Sequence, residues 1–219
     1  MPYLRRMAIL TAFAIGGAIA AVTVGALKAA FPAGRGQVQK DVALLADEGA
    51  AQEGELAPIT DAELERMSWN ILFEKKKGGV ERGQITSVYH EPLVWFGFKK
   101  YWSPGTDRSV LYARSKQYEW IYQSSGKRVS VVVNGKPVGQ LMPDGSLVDK
   151  KKRPLARLTR RPGQELWPIT VGGTELGSLT NPKFKHSELA RAFSFTLPMN
   201  HSQRGAFLAV AIYEMLVQR

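Results

Sequence analysis

His90, His186 and His201 are the side chains best suited to proton transfer or metal binding, and they stand far apart, each beside turn or cap residues. No HExxH string or paired ligands at metal spacing accompany them, so neither a zinc site nor a catalytic base is expected. The chain has no cysteine, which excludes thiolate nucleophiles, thiolate metal sites and disulfides. No GxxxxGK[ST] or GxGxxG string offers a phosphate cradle. Asp144-Gly145-Ser146-Leu147-Val148-Asp149 holds two carboxylates of a calcium loop but lacks the remaining ligands, and reads as a plain turn. Asn200-His201-Ser202 is formally a glycosylation acceptor and equally a helix cap. The expectation is a non-enzymatic protein with no catalytic residues, metal or cofactor.

The cations carry more information. They fall in clusters, Lys75-Lys76-Lys77, Lys99-Lys100, Lys150-Lys151-Lys152-Arg153, Arg160-Arg161, and Lys183 with Lys185. Most sit in turn-like sequence. Near an anionic leaflet each close Lys or Arg adds about 1 kcal/mol, so one cluster of four would matter for docking. Tyr89, Trp95, Phe96, Phe98, Tyr101 and Trp102 surround the Lys99-Lys100 pair. Tyr89, Trp95 and Phe96 read as core, whereas Tyr101 and Trp102 stay open between core and an interfacial role. The candidate binding set is Lys75, Lys76, Lys77, Lys99, Lys100, Tyr101, Trp102, Lys150, Lys151, Lys152, Arg153, Arg160 and Arg161. Its expected partners are anionic lipid headgroups or a membrane protein.

What brings these residues to a membrane is residues 7–27, an uncharged apolar stretch directly behind Arg5 and Arg6. At about 1.5 Å per residue it covers roughly 30 Å, the thickness of the hydrocarbon core. Ala18-Ile19-Ala20 offers a signal-peptidase-like site, but the apolar run continues past it to Leu27, where a signal peptide turns polar. The reading taken is a single transmembrane helix; the rival is a leader cut after Ala20 and an exported ligand-binding domain. Gly16, Gly17, Ala20, Ala21 and Gly25 give the helix small residues for close packing. They support a second hypothesis, an accessory subunit of a membrane complex.

The net charge of +11 is unevenly distributed. Up to Lys40 the chain holds bases and no acid; from Asp41 to Glu65 it holds acids and no base. The sequence beyond is therefore more basic than the total implies. Such a balance favours anionic partners; nucleic acid ranks last because the anchor adds nothing to it. The expected organisation is a basic N-terminus (1–6), a transmembrane helix (7–27), an acidic Ala/Gly-rich linker, flexible or partly helical, that spaces the domain from the bilayer (28–60), and a β-rich domain (61–219). The protein is placed in the membrane by its N-terminal anchor. Bases flank the span on both sides, so the positive-inside count nearly balances; the reading leans to an extracytoplasmic domain, as for an ordinary signal anchor, and leaves a cytoplasmic domain open.

Within the domain, Thr60-x-x-Glu63 resembles a capping box ahead of Leu64, Met67 and Ile71 at helical spacing. Residues 85–89, 93–98, 110–113, 120–123, 129–133, 138–141, 155–158, 167–171, 176–179 and 192–197 then form short β-like runs separated by Gly, Pro, Asn-Gly and Asp-Gly. A strand pair is also expected around Lys150-Lys151-Lys152. Two hairpins repeat a V-x-G-x-x-[VL]-G-x-L pattern, beginning at Val133 and Val171. The first glycine supplies a positive-φ turn position, and the second permits a bulge or close backbone approach. Residues 204–217 form a helix apolar on nearly every face, too short for a comfortable span, which must be surrounded by protein. The predicted fold is mainly β: an antiparallel barrel of about 10–12 short strands around this C-terminal helix.

A meander of about a dozen strands, the repeated hairpins, and a last strand (Phe193-Ser-Phe-Thr-Leu-Pro-Met-Asn200) followed by an apolar helix together resemble the tubby C-terminal-like superfamily. That superfamily includes phospholipid scramblases and LURP-one-related proteins. The resemblance covers residues 68–219 and rests on the order of elements. It implies a closed barrel around a hydrophobic helix, a membrane association and, by likeness to tubby proteins, a basic surface for phosphoinositides. The chain departs from the scramblase pattern in its N-terminal anchor and its lack of a cysteine-rich palmitoylation segment, so scrambling activity does not carry over.

Overall fold

A computed structural model describes residues 36–74, 79–101, 107–184 and 190–217. The described chain begins with helix α1 (Gly36–Gln52), a single 3₁₀ turn (Glu53–Glu55) and the short helix α2 (Asp61–Arg66). Eleven strands follow: β1 (Met67–Phe73), β2 (Val80–Ser87), β3 (Pro92–Tyr101), β4 (Arg108–Arg114), β5 (Glu119–Ser125), β6 (Arg128–Val133), β7 (Lys136–Leu141), β8 (Ser146–Val148), β9 (Pro154–Leu158), β10 (Leu166–Val171) and β11 (Thr174–Thr180). A second 3₁₀ turn (Pro182–Phe184), the last strand β12 (Phe193–Thr196) and helix α3 (His201–Val217) complete the order.

Each strand pairs with the next in sequence, and every pairing is antiparallel. The twelve-stranded sheet curls until its two edges meet just before β12. Ser68 bridges Arg191, the Trp69 amide donates to the Ala190 carbonyl, and the Ala192 amide donates to the Met67 carbonyl. The result is a nearly closed antiparallel barrel. Closure removes the exposed edges that an open sheet would offer for aggregation.

The repeated hairpins behave as the pattern dictates. Asn134 and Gly135 (φ 48° and 71°), like Gly172 and Gly173 (φ 59° and 87°), form the positive-φ turns. In both hairpins the register shifts just before the second glycine, leaving Val138 and Leu176 as bulge residues. That glycine meets a neighbouring strand: a Cβ on Gly139 would lie 1.8 Å from the Val148 carbonyl oxygen, and one on Gly177 2.8 Å from that of Phe195.

Helix α3 fills the barrel. Asn200 and Gln203 cap it reciprocally, each side chain accepting from the other's backbone amide, so it starts at His201, a turn's width before the predicted Arg204. Phe207, Leu208, Ala211, Ile212 and Met215 are each wholly excluded from solvent. Side chains of the wall also bind its backbone: the Trp120 indole donates to the Gly205 carbonyl at 3.3 Å, and the Tyr122 hydroxyl to Ala209 at 2.9 Å. A 17-residue helix that is apolar all round thus finds its solvent in the barrel lining.

Three expectations are corrected. Met67 and Ile71 belong to strand β1, not to a helix continuing from Thr60: Thr60 caps α2 by accepting from the Glu63 amide, but the Glu63 carboxylate turns to Arg66. The alternation Met67, Trp69, Ile71 fits a strand as well as a helix, and pairing at the barrel seam decides it. The acidic segment is also more than a spacer. It is partly helical, as the sequence allows (Gly36–Gln52), but the helix is docked: Val42, Leu45 and Ala46 pack with Leu56 on the outer wall against Trp95, Val110, Tyr112 and Ile121. Tyr89, read as core, is 65% exposed in the β2–β3 connection.

Among the described residues no helix is long and apolar enough to cross a membrane. The predicted span 7–27, with Gly16, Gly17, Ala20, Ala21 and Gly25, lies outside them, as do Lys75, Lys76, Lys77 and Trp102.

Candidate functional site

A strict antiparallel meander turns alternately at one end of the barrel and then the other. The β1–β2, β3–β4, β5–β6, β7–β8, β9–β10 and β11–β12 connections therefore share a first end. Helix α1 starts there, since Asp41 in its second turn accepts from Tyr101 at the tip of β3. Helix α3 finishes there, since Glu214 pairs with Arg160 in the β9–β10 connection. The remaining connections form the second end, where α3 starts: Tyr118, just ahead of β5, contacts His201 at 3.0 Å.

This geometry separates the predicted cations. Lys99 binds Asp41 at 2.9 Å while the Tyr101 hydroxyl donates to the same carboxylate at 2.8 Å. Both hold α1. Burial opposes ionisation of Asp41, but hydrogen bonds from Lys99, Tyr101 and Gln37 outweigh it and keep the carboxyl below its ordinary range. Burial and then the Asp41 charge push the Tyr101 hydroxyl far up, so it remains a donor. Further along α1, Glu48 receives Arg82 through bonds of 2.7 and 2.8 Å, and Glu53 receives Arg114. The acids of this segment neutralise the β2–β4 wall and cover it.

Arg160 is likewise structural, held bidentately by Glu214 and also donating to the Pro143 carbonyl at 2.9 Å. Lys150, Lys151, Lys152 and Arg153 form the β8–β9 turn at the second end, where Arg153 is tied to Asp149 at 2.7 Å. Asp149 also accepts from the Lys151 and Arg153 amides. Asp144 is engaged by the Ser146 amide and hydroxyl, so Asp144 and Asp149 belong to two separate local turns on either side of β8. Among the described residues no group of three or more His, Cys, Asp or Glu side chains is placed to hold a metal ion.

Of the predicted set, Lys100 and Arg161 remain exposed at the first end. The fold adds Arg108, Lys127, Arg128 and Lys183 to them, all exposed and without a carboxylate partner among the described residues. Apart from Asp41 and Glu214, which pair with Lys99 and Arg160, the acids at this end are Glu74, Glu81, Asp107, Asp144 and Glu165. Leu72 and Phe73, at the β1 tip, are 46% and 54% exposed beside them. The wall is short at β8, so Arg128 and, from the second end, Lys150 and Lys152 line one outer groove of about 560 Å³. Lys127 and Arg128 are adjacent in sequence, but Arg108 and Lys183 lie far from them; only the alternation of hairpin ends identifies them as neighbours. Neither a protein-family model, nor a curated protein, nor a solved structure matches the chain.

Proposed function

We propose that this chain is a non-enzymatic single-span membrane protein, anchored by residues 7–27, whose first barrel end docks on anionic lipid headgroups. The observation that carries the reading is that the start of α1 shares an end with Lys100, Arg108, Lys127, Arg128, Arg161 and Lys183. Residues 28–35 alone separate the apolar stretch from Gly36. At about 3.3–3.6 Å per residue they reach about 30 Å at most, so the first end stays near the headgroups. There each cation adds about 1 kcal/mol of attraction, and Leu72 and Phe73 offer apolar side chains for the interface. The tubby-like relationship is part of the proposal, because a barrel around a hydrophobic helix is the architecture that the resemblance implies.

Hydrogen exchange on the full chain in vesicles tests it. With phosphatidylserine in phosphatidylcholine vesicles, the β3–β4, β5–β6 and β9–β10 connections should exchange more slowly than in phosphatidylcholine alone. Identical exchange in both vesicles would refute headgroup docking.

A further inference from the structure

At the second end the barrel mouth is open beside the start of α3. Tyr118 stacks on His201 with ring centroids 4.6 Å apart and planes 19° from parallel, and the pair forms one side of a cleft. The first turns of α3 present the small residues Ser202, Gly205 and Ala206 to it, which leaves a volume of about 540 Å³. The volume falls within the range of about 300–1,000 Å³ typical of small-molecule sites. Its wall is apolar. Val133 and Val138 come from the first repeated hairpin, Val171 from the second and Leu155 from β9. The two glycine turns thus frame one opening. The bulge at Val138, fixed by the close approach of Gly139 to Val148, brings that side chain into the wall.

The charge of the lining is one-sided. Lys136 at the rim is the single Lys, Arg, Asp or Glu that lines the cleft, and no carboxylate among the described residues pairs with it. The geometry points to a binding site for a small single-chain amphiphile: the apolar body lies against Val133, Val138, Leu155 and Val171, and an anionic head meets Lys136. A cationic head is disfavoured by the same ammonium. The cleft lies at the end remote from the proposed membrane surface and does not rest on that reading.

Methyl NMR of the full chain in phosphatidylcholine nanodiscs, titrated with octanoate and separately with octylammonium, is the test. Octanoate should shift the Val133, Val138, Leu155 and Val171 methyls saturably, and octylammonium should not. Lys136→Glu, an exposed change that leaves the packing intact, should weaken octanoate about tenfold. Ala206→Leu, which fills the cleft, should abolish the shifts. Absence of saturable shifts with octanoate, an equal response to octylammonium, or unchanged affinity in Lys136→Glu overturns the assignment.

Discussion

The Arg160 guanidinium closes on the Glu214 carboxylate through two bonds of 2.6 and 2.5 Å, fastening the last turns of the internal helix to the β9–β10 connection. The Glu214 side chain is only 3% exposed and Arg160 is 29% exposed. Hydrogen bonding to Glu214 raises the guanidinium's affinity for its proton despite burial. Removing one partner strands the other charge. Arg160→Met or Glu214→Leu alone should therefore destabilise the domain by about 3–5 kcal/mol, while the double variant recovers most of the loss. Urea unfolding of the three variants measures this, and additive losses would contradict a coupled pair.

Docking of α1 should depend on pH through Asp41. Its carboxyl is held below the ordinary value of about 3.9, so the stabilisation is complete above that value and is lost as pH falls through the folded-state value. Amide exchange at Val42, Leu45 and Ala46 should accelerate, relative to the barrel strands, as pH drops below about 4. Asp41→Asn should flatten that dependence while giving weaker protection at neutral pH.

Gly139 and Gly163 separate two costs of replacing glycine. A methyl group at Gly139 runs into the Val148 backbone, which cannot move without breaking the β7–β8 pairing. Gly139→Ala should cost about 3 kcal/mol or more. Gly163 has φ 75° with open space around it, so Gly163→Ala should cost only the left-handed backbone penalty of about 1–2 kcal/mol. Thermal denaturation ranks the two, and equal losses would exclude the close approach as the cause.

Charge reversal at the two barrel ends should give different results. Lys127→Glu, Arg128→Glu and Arg161→Glu together should abolish the protection that phosphatidylserine vesicles confer on the first-end hairpins. Lys116→Glu with Lys151→Glu, at the second end, should leave it in place. The protection should also weaken between about 0.1 and 1 M salt, over which the screening length shrinks from about 10 to 3 Å.

Ten of the twelve strands are visible in the sequence as β-branched and aromatic runs, because each is short and bounded by Gly, Pro or Asn-Gly. Ser146–Val148 was found as half of the pair around Lys150, whereas Met67–Phe73 was not, because its strand character depends on the seam formed with residues 190–192. The internal helix was legible because an apolar surface on every side has few physical homes. The docking of α1 was not. Its three buried apolar side chains are a weak stripe, and what fixes them is a set of ion pairs to Lys99, Arg82 and Arg114, remote in sequence. The same limit applied to the surface. Clusters adjacent in sequence, such as Arg160 with Arg161, divide into a structural ion pair and an exposed charge, while cations remote in sequence, such as Lys100, Arg108 and Lys183, converge.

The one-after-another strand order has a consequence for synthesis. Every ladder joins neighbours along the chain, so the wall can zip up progressively as it leaves the ribosome, with short loops to close at each step. Its filling cannot. Helix α3 follows all twelve strands, so until it emerges the inner lining of Trp120, Tyr122, Ile169 and their neighbours has nothing to pack against. The nascent chain passes through a hollow, sticky stage that ends only when its own last helix threads the cavity, and an agent that shields apolar surface would have its effect in that interval.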